Sequence, residues 1–351
     1  YSRFPSKTDI YTKEGDFVTN VLDTPLIEEL PKGFMATTKG KRSFSWRSDK
    51  AATLIYVEAL DGGDPANLVD YRDEVFELEA PFSGMGKSLI KLINRYAGID
   101  WANESLAIAY DRWWNTRNTK AYSFNPSNNN DSPETIYDRN YQDAYSDPGS
   151  FLKERNNYNR SVLKLYSGRA YMSGAGFTKL GQFPFIDEVN IKGFAKKRIY
   201  QSAYTNKVES IQDYDPSTKQ LIVRIESPTE FPNYYSKKVN SKRLNKITDF
   251  KNPFLELQNV KKQTIIYKRD DGLELSGILY LPLDYVEEKK EKRPMILWAY
   301  PREFKDRKSA SQTTKNSNEF TYPYYGSMTV SYTHLRAHET PEHLVCRLLL
   351  E

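Results

Sequence analysis

WRSDKAATLIYVEALDGGDP, residues 46–65, is the stretch on which the fold turns. An apolar run, Thr53–Leu60, lies between a polar turn near Ser48-Asp49-Lys50 and the sequence Asp61-Gly62-Gly63. Asp and Gly supply chain reversals, and the β-branched and aromatic residues between them suit a pleated, half-buried surface. The stretch 41–65 therefore predicts two strands around a tight turn, and RDEVFELEAPF at 72–82 a third.

Working outward, GIDWANESLAIAYDRWWNTRNTKAYSF at 98–124 repeats the idea. Trp101 precedes the turn Asn103-Glu104-Ser105, then a strand at Leu106–Tyr110, a loop, and a strand at Thr119–Phe124. The pattern returns at 188–204 and at 208–227, where Val208–Asp213 and Gln220–Glu226 flank a Pro-Ser-Thr-Lys turn. Such a unit is roughly the 40–50 residues of a four-stranded propeller blade. The polar segment 125–170 reads as an insertion with one short helix.

The texture changes near 248. TDFKNPFLELQNV reads as a linker or short helical turn. It is followed by a hairpin, Thr264–Lys268 and Leu273–Leu281 around Asp270-Asp271-Gly272. Asp-Gly between alternating strands is a strong hairpin signal. PMILWAY at 294–300 is a continuous apolar run, as expected for a strand buried on both faces of an α/β sheet. The fold class expected is mostly β: a partial β-propeller followed by the first strands of an α/β-hydrolase domain.

The chain carries 51 Lys/Arg and 46 Asp/Glu, for a net charge of +5, with the two signs interleaved. That fits a solvated surface, not a nucleic-acid face. The basic stretch SKKVNSKRLNK at 236–246 reads as a solvated loop. No run of about 18 apolar residues occurs, so no membrane-spanning helix is expected. Residues 1–330 contain neither Cys nor His, which excludes disulfides, thiol catalysis and a Ser-His-Asp triad within that stretch.

Other patterns were weighed on their chemistry. SGMGKSLIKL at 83–92 resembles a phosphate loop, but the required Gly is replaced by Pro81, so a turn leading into a strand is expected. Asp111-Arg112-Trp113-Trp114 is either an exposed aromatic binding face or blade packing, with packing the commoner outcome. All three histidines, His334, His338 and His343, cluster with the single Cys346. They could form a Cys-His₃ zinc set, but Pro341 interrupts a helix there and the spacing is not H-E-x-x-H.

Three stretches carry a resemblance to a known family. WRSDKAATLIYVEALDGGDP (46–65) resembles a propeller blade of serine peptidases of the prolyl oligopeptidase family. YKRDDGLELSGILYLPLDY (267–285) resembles the start of that family's α/β-hydrolase domain. PMILWAYPREFKDRKSASQTTKNSNEF (294–320) looks most like the glutamyl endopeptidase branch. The resemblance implies a propeller over residues 1–250 with its N-terminal part incomplete, the start of a truncated peptidase domain over 251–328, and a probable non-native tail over 329–351. That tail resembles a translated library-adapter sequence, which accounts for its unusual composition.

What the resemblance implies about function is peptide-bond hydrolysis, after Glu on the glutamyl branch, with the propeller restricting substrate access. A Ser on a strand-to-helix elbow would attack, His would take its proton, and Asp would orient the His. The family's oxyanion-hole tyrosine matches Tyr300, and Arg302 is a candidate partner for a substrate carboxylate. Nucleophile, Asp and His are not found, so the chain is expected to be inactive alone. The partner implied is a peptide substrate, with no cofactor, metal or nucleic acid. A periplasmic or secreted location is the expectation for a bacterial parent. The alternative is a non-enzymatic propeller that binds a peptide or glycan.

Overall fold

The computed structural model describes residues 3–289, 292–299 and 302–323. Its backbone is organised as successive antiparallel meanders. The first sheet runs in chain order through Arg42–Trp46, Thr53–Ala59, Asp73–Glu79 and Lys87–Leu92. The second does the same through Arg95–Asn103, Leu106–Trp113, Asn118–Phe124 and Glu134–Asn140. A third follows the path Ser150–Phe151, Arg169–Gly174, Phe185–Asn190 and Lys196–Gln201, with Leu165–Tyr166 paired beside it. The fourth comprises Val208–Asp215, Gln220–Glu226, Asn233–Lys238 and Asn245–Lys246. Successive sheets of four strands, five in the third, are the blades of a partial propeller.

Contacts gather the chain into two compact units. One comprises Tyr1–Asp143, Pro148–Ser173 and Ile186–Arg198; the other comprises Ala144–Asp147, Gly174–Phe185 and Ile199–Glu351.

In the first unit, the run Leu106-Ala107-Ile108-Ala109 is apolar at every position because both faces of its sheet are covered. Ala107 and Ala109 meet Ile55, Val57, Val75, Leu92 and Trp101. Leu106 and Ile108, pointing the other way, meet Phe151, Leu163, Met172 and Val189. The outer face of the first sheet, Leu54, Tyr56 and Leu78, packs on Ile10 of an N-terminal hairpin, Ser6–Tyr11 with Phe17–Thr24.

Charges also enter this core, which corrects the expectation of a purely solvated charge pattern. Asp73 accepts from Arg42, from Arg95 Nη1 at 2.9 Å and from the Tyr96 amide at 2.7 Å. Asp61 accepts from Arg95 Nη2 at 2.7 Å and Arg72 Nη1 at 2.9 Å. Both carboxylates are buried. Gly63 is required beside them: its φ is +81°, and a Cβ there would lie 2.1 Å from the Thr37 carbonyl. Arg47 is held between Asp49 and Glu77, with its guanidinium 4.4 Å from the Trp101 ring centroid.

Asp111 is buried with no cation among its hydrogen-bond donors. It accepts from the Asn94 amide at 2.9 Å, Asn94 Nδ2 at 3.0 Å, the Lys120 amide at 3.2 Å and Tyr122 Oη at 3.0 Å. Burial pushes its pKa above the ordinary carboxylate value, against the opposing pull of these donors. Tyr122→Phe removes one of the four while keeping the ring in the core. We expect a loss of about 1.5–3 kcal/mol, the usual worth of a hydrogen bond to a charged group, measured by urea unfolding.

In the second unit, the predicted hairpin is present as Lys261–Lys268 and Glu274–Leu281, paired from Lys261↔Leu281 to Lys268↔Glu274. The segment before it forms a 3₁₀ turn at Leu255–Leu257, in line with the linker reading. Tyr200, on the last strand of the third sheet, donates from Oη to Glu209 of the fourth at 2.5 Å, and Lys237 Nζ of the fourth donates to Tyr200 Oη at 2.8 Å. Lys237 therefore sits within a buried polar tie, although the basic stretch 236–246 reads as a solvated loop.

Two further expectations are corrected. The polar segment 125–170 is not a plain insertion, since Glu134–Asn140 is the outer strand of the second sheet and Ser150–Phe151 begins the third. An outermost strand has one side open to water, so polar residues such as Asp138 and Arg139 are tolerated there. The run 294–299 is not a buried strand. It is irregular, with Met295 73%, Leu297 70% and Trp298 68% exposed. A central α/β strand is buried by its neighbours, and among the described residues none pairs with it.

Candidate functional site

Of the residues singled out from sequence, Arg302 is exposed. Tyr300 lies outside the described residues, as do His334, His338, His343 and Cys346. Among the described residues there is no group of three or more His, Cys, Asp or Glu placed to hold a metal ion. Nor do they contain a histidine that could serve a serine nucleophile.

The patterns with competing readings resolve into packing. Gly86 ends a turn, and Lys87–Leu92 follows as a strand. A Cβ at Gly86 would lie 2.6 Å from Tyr56 Oη, whose oxygen accepts from the Gly86 amide at 3.0 Å. Trp113 stacks under the Arg72 guanidinium at 4.0 Å, and Trp114 lies between Arg117 at 3.6 Å and the Phe34 ring at 4.8 Å. Phe34, Met35, Pro65 and Asn115 line a shallow pocket of about 270 Å³ beside them.

The structured feature next to the predicted oxyanion residue is the arm that follows it, residues 302–323. Asp306 opens the arm by capping a one-turn helix, Arg307–Ala310, accepting from the Ser309 amide at 2.7 Å. Arg307 donates to the Asp271 carbonyl at the hairpin turn at 2.7 Å. The arm then meets residues far away in sequence. Gln312 Oε1 accepts from the Tyr145 amide at 3.2 Å, and the Thr313 amide donates to Tyr145 Oη at 3.0 Å. Asn316 Nδ2 donates to Gln182 Oε1 at 3.1 Å, and Asn318 Nδ2 to the Thr205 carbonyl at 3.0 Å.

The arm ends on the fourth sheet. Phe320 and Tyr322 pack edge-on against each other at 5.2 Å, and each meets Phe231, at 5.2 and 6.1 Å. Arg224 Nη2 donates to Tyr322 Oη at 3.3 Å and to Glu226 Oε2 at 2.8 Å. Lys262 donates to the Glu319 carbonyl. Burial, with the Glu319 charge adding to it, pushes the Glu226 pKa above its usual value. Burial also pulls the Lys262 pKa down. Sequence reasoning missed these partners because each is separated from the arm by tens to more than a hundred residues, and no local pattern marks them.

The chain is 37% identical over 334 residues to a protein of Oryza sativa subsp. japonica named "Probable glutamyl endopeptidase, chloroplastic", across 91% of this chain. The chain thus resembles a protein named as a glutamyl endopeptidase. A protein of Arabidopsis thaliana with the same name is 34% identical over 335 residues, again across 91% of this chain. The chain spans only 36% and 35% of the length of those two curated relatives. No family model matches the chain. Solved structures resemble it more distantly. Dipeptidyl peptidase 4 of Porphyromonas gingivalis has a TM-score of 0.40 at 13% identity, covering 76% of this chain and 46% of that one. Oligopeptidase B from Trypanosoma brucei has a TM-score of 0.39 at 10% identity, covering 70% and 39%. The stretch 46–65 lies in the first meander of the structure.

Proposed function

We propose that the chain is the propeller, residues 1–250, and the opening of the hydrolase domain, residues 251–328, of a serine peptidase that cleaves after Glu. The observation that carries this reading is the identity of more than a third with glutamyl endopeptidases along 91% of the chain. The meanders and the hairpin at 261–281 are compatible with it. On this reading Tyr300 donates to the oxyanion, and Arg302, exposed beside it in sequence, faces the substrate carboxylate. Residues 329–351 are a non-native tail. The nucleophile, its base and the orienting Asp belong to the remainder of the parent protein, so the chain alone does not hydrolyse peptides.

The test is a peptide-cleavage assay on the full-length parent and on the present chain. Internally quenched peptides carrying Glu, Gln or Ala before the scissile bond are the substrates. The full-length protein is expected to cleave the Glu peptide in preference and to be blocked by a fluorophosphonate, while the present chain cleaves none. Hydrolysis by the present chain, or none by the parent, would sink the proposal. Binding of an uncleaved peptide or glycan by the parent would favour a propeller binding module instead.

A further inference from the structure

The arm that follows residue 302 is held unlike the rest of the fold. Between Arg307 and Glu319 it presents no large apolar side chain, and Lys315 is exposed. Hydrogen bonds join Gln312, Thr313, Asn316 and Asn318 to Tyr145, Gln182 and Thr205. Each such bond is modest once exchange with water is counted, so the set can open without unfolding a sheet. Past Ser309, which is buried in the capped turn, the arm is buried again only at its end, where Phe320 is 5% and Thr321 6% exposed. There it closes over Glu226, the last residue of strand Gln220–Glu226.

Every element packed on that carboxyl contributes a charged or polar group. Arg224 comes from its own strand, Lys262 from the hairpin, and Glu319, the Phe320 amide and the Tyr322 hydroxyl from the arm. A like charge, Glu319, is thus brought close when the arm closes, and both cations are partly committed, Arg224 to Tyr322 and Lys262 to the Glu319 carbonyl.

We propose that residues 312–323 form a releasable latch whose closed state is set by the charge on Glu226. This goes beyond the peptidase reading and does not depend on it.

The sign follows from the closed geometry. Closure buries Glu226 beside Glu319, and its pKa rises above the ordinary glutamate value it has when released. The closed state therefore binds the proton more tightly. Closure is strongest below the ordinary glutamate pKa and weakens as pH rises through the raised value. Lys262, whose pKa burial lowers from 10.5, titrates on the alkaline limb and opposes closure in its charged form.

Hydrogen exchange on the full chain, corrected for intrinsic rates, tests this between about pH 4.5 and 8. Exchange at 312–323 is expected to rise as a block by at least about threefold across that range, while strand Gln220–Glu226 stays protected. In Glu226→Gln the rise is expected to vanish. Asn318→Ala is expected to raise arm exchange at every pH, because it removes the tie to Thr205. Unprotected exchange of the arm at acid pH, pH-independent protection, or a pH response retained in Glu226→Gln would each overturn the latch. Should Glu226→Gln unfold the fourth sheet, Asn318→Ala and the wild-type titration decide: together they support the latch, and the absence of either effect overturns it.

Discussion

Asp73→Ala is expected to destabilise the first unit by about 3–5 kcal/mol, the usual cost of removing one partner from a buried ion pair. Asp73 is fully buried and answers two guanidinia, Arg42 and Arg95, as well as the Tyr96 amide. Alanine leaves those donors facing a void. Asp61 cannot take up the load, because it already accepts from Arg72, Arg95 and the Gly63 amide. The loss is therefore one of uncompensated charge, not of volume. A midpoint shift in urea with an unchanged slope would show it, and a shift below about 1 kcal/mol would mean that water reaches the cluster. Asp73→Asn should fall between, since its one carbonyl oxygen still accepts but its charge is gone.

The second large effect follows from the proposed function and concerns the parent protein. Tyr300→Phe there is expected to lower kcat by about 10²–10³-fold, the usual consequence of deleting one oxyanion donor. Because a donor aimed at the developing oxyanion acts in the transition state, KM should change little. A fall in kcat/KM driven by KM alone, with kcat intact, would place Tyr300 in substrate binding and remove it from the oxyanion hole. Arg302→Ala offers a contrast in the same assay. A carboxylate partner should lose the preference for Glu over Gln, whereas a solvent-facing Arg should change nothing.

Much of the fold was legible because its signals are local. The turn Asp270-Asp271-Gly272 predicts the hairpin that pairs from Lys261 to Leu281. The strand at Thr53–Leu60 appears as Thr53–Ala59, and that at Gln220–Glu226 appears unchanged. These elements are written by turn residues and by side chains that suit a pleat, and both act over a few residues. The resemblance at 46–65, 267–285 and 294–320, with its glutamyl endopeptidase branch, points to the same relatives that the whole chain matches.

The failures have a common cause. Residues 134–140 read as part of a polar insertion because an outer strand needs little apolar character, and only its partner Asn118–Phe124 makes it a strand. The run at 294–298 reads as a buried strand because its composition is apolar. Composition states what a segment can bury, not whether a neighbour is present to bury it. Asp61 reads correctly as a turn residue, yet its carboxylate also anchors Arg72 and Arg95, which no short-range pattern reveals. The stretch 294–320 carries a resemblance in its local sequence, whereas nothing local marks the arm's partners Tyr145, Gln182, Thr205 and Glu226.

The sequence by itself determined the strand class, the main turns and the relatives it resembles, because each is encoded within a window of a few to a few tens of residues. Tertiary structure alone decided which charges are buried, which apolar run stays exposed, and where the arm is fastened. Those outcomes depend on contacts between residues far apart in the chain, where desolvation and loop closure, not local propensity, set the free energy.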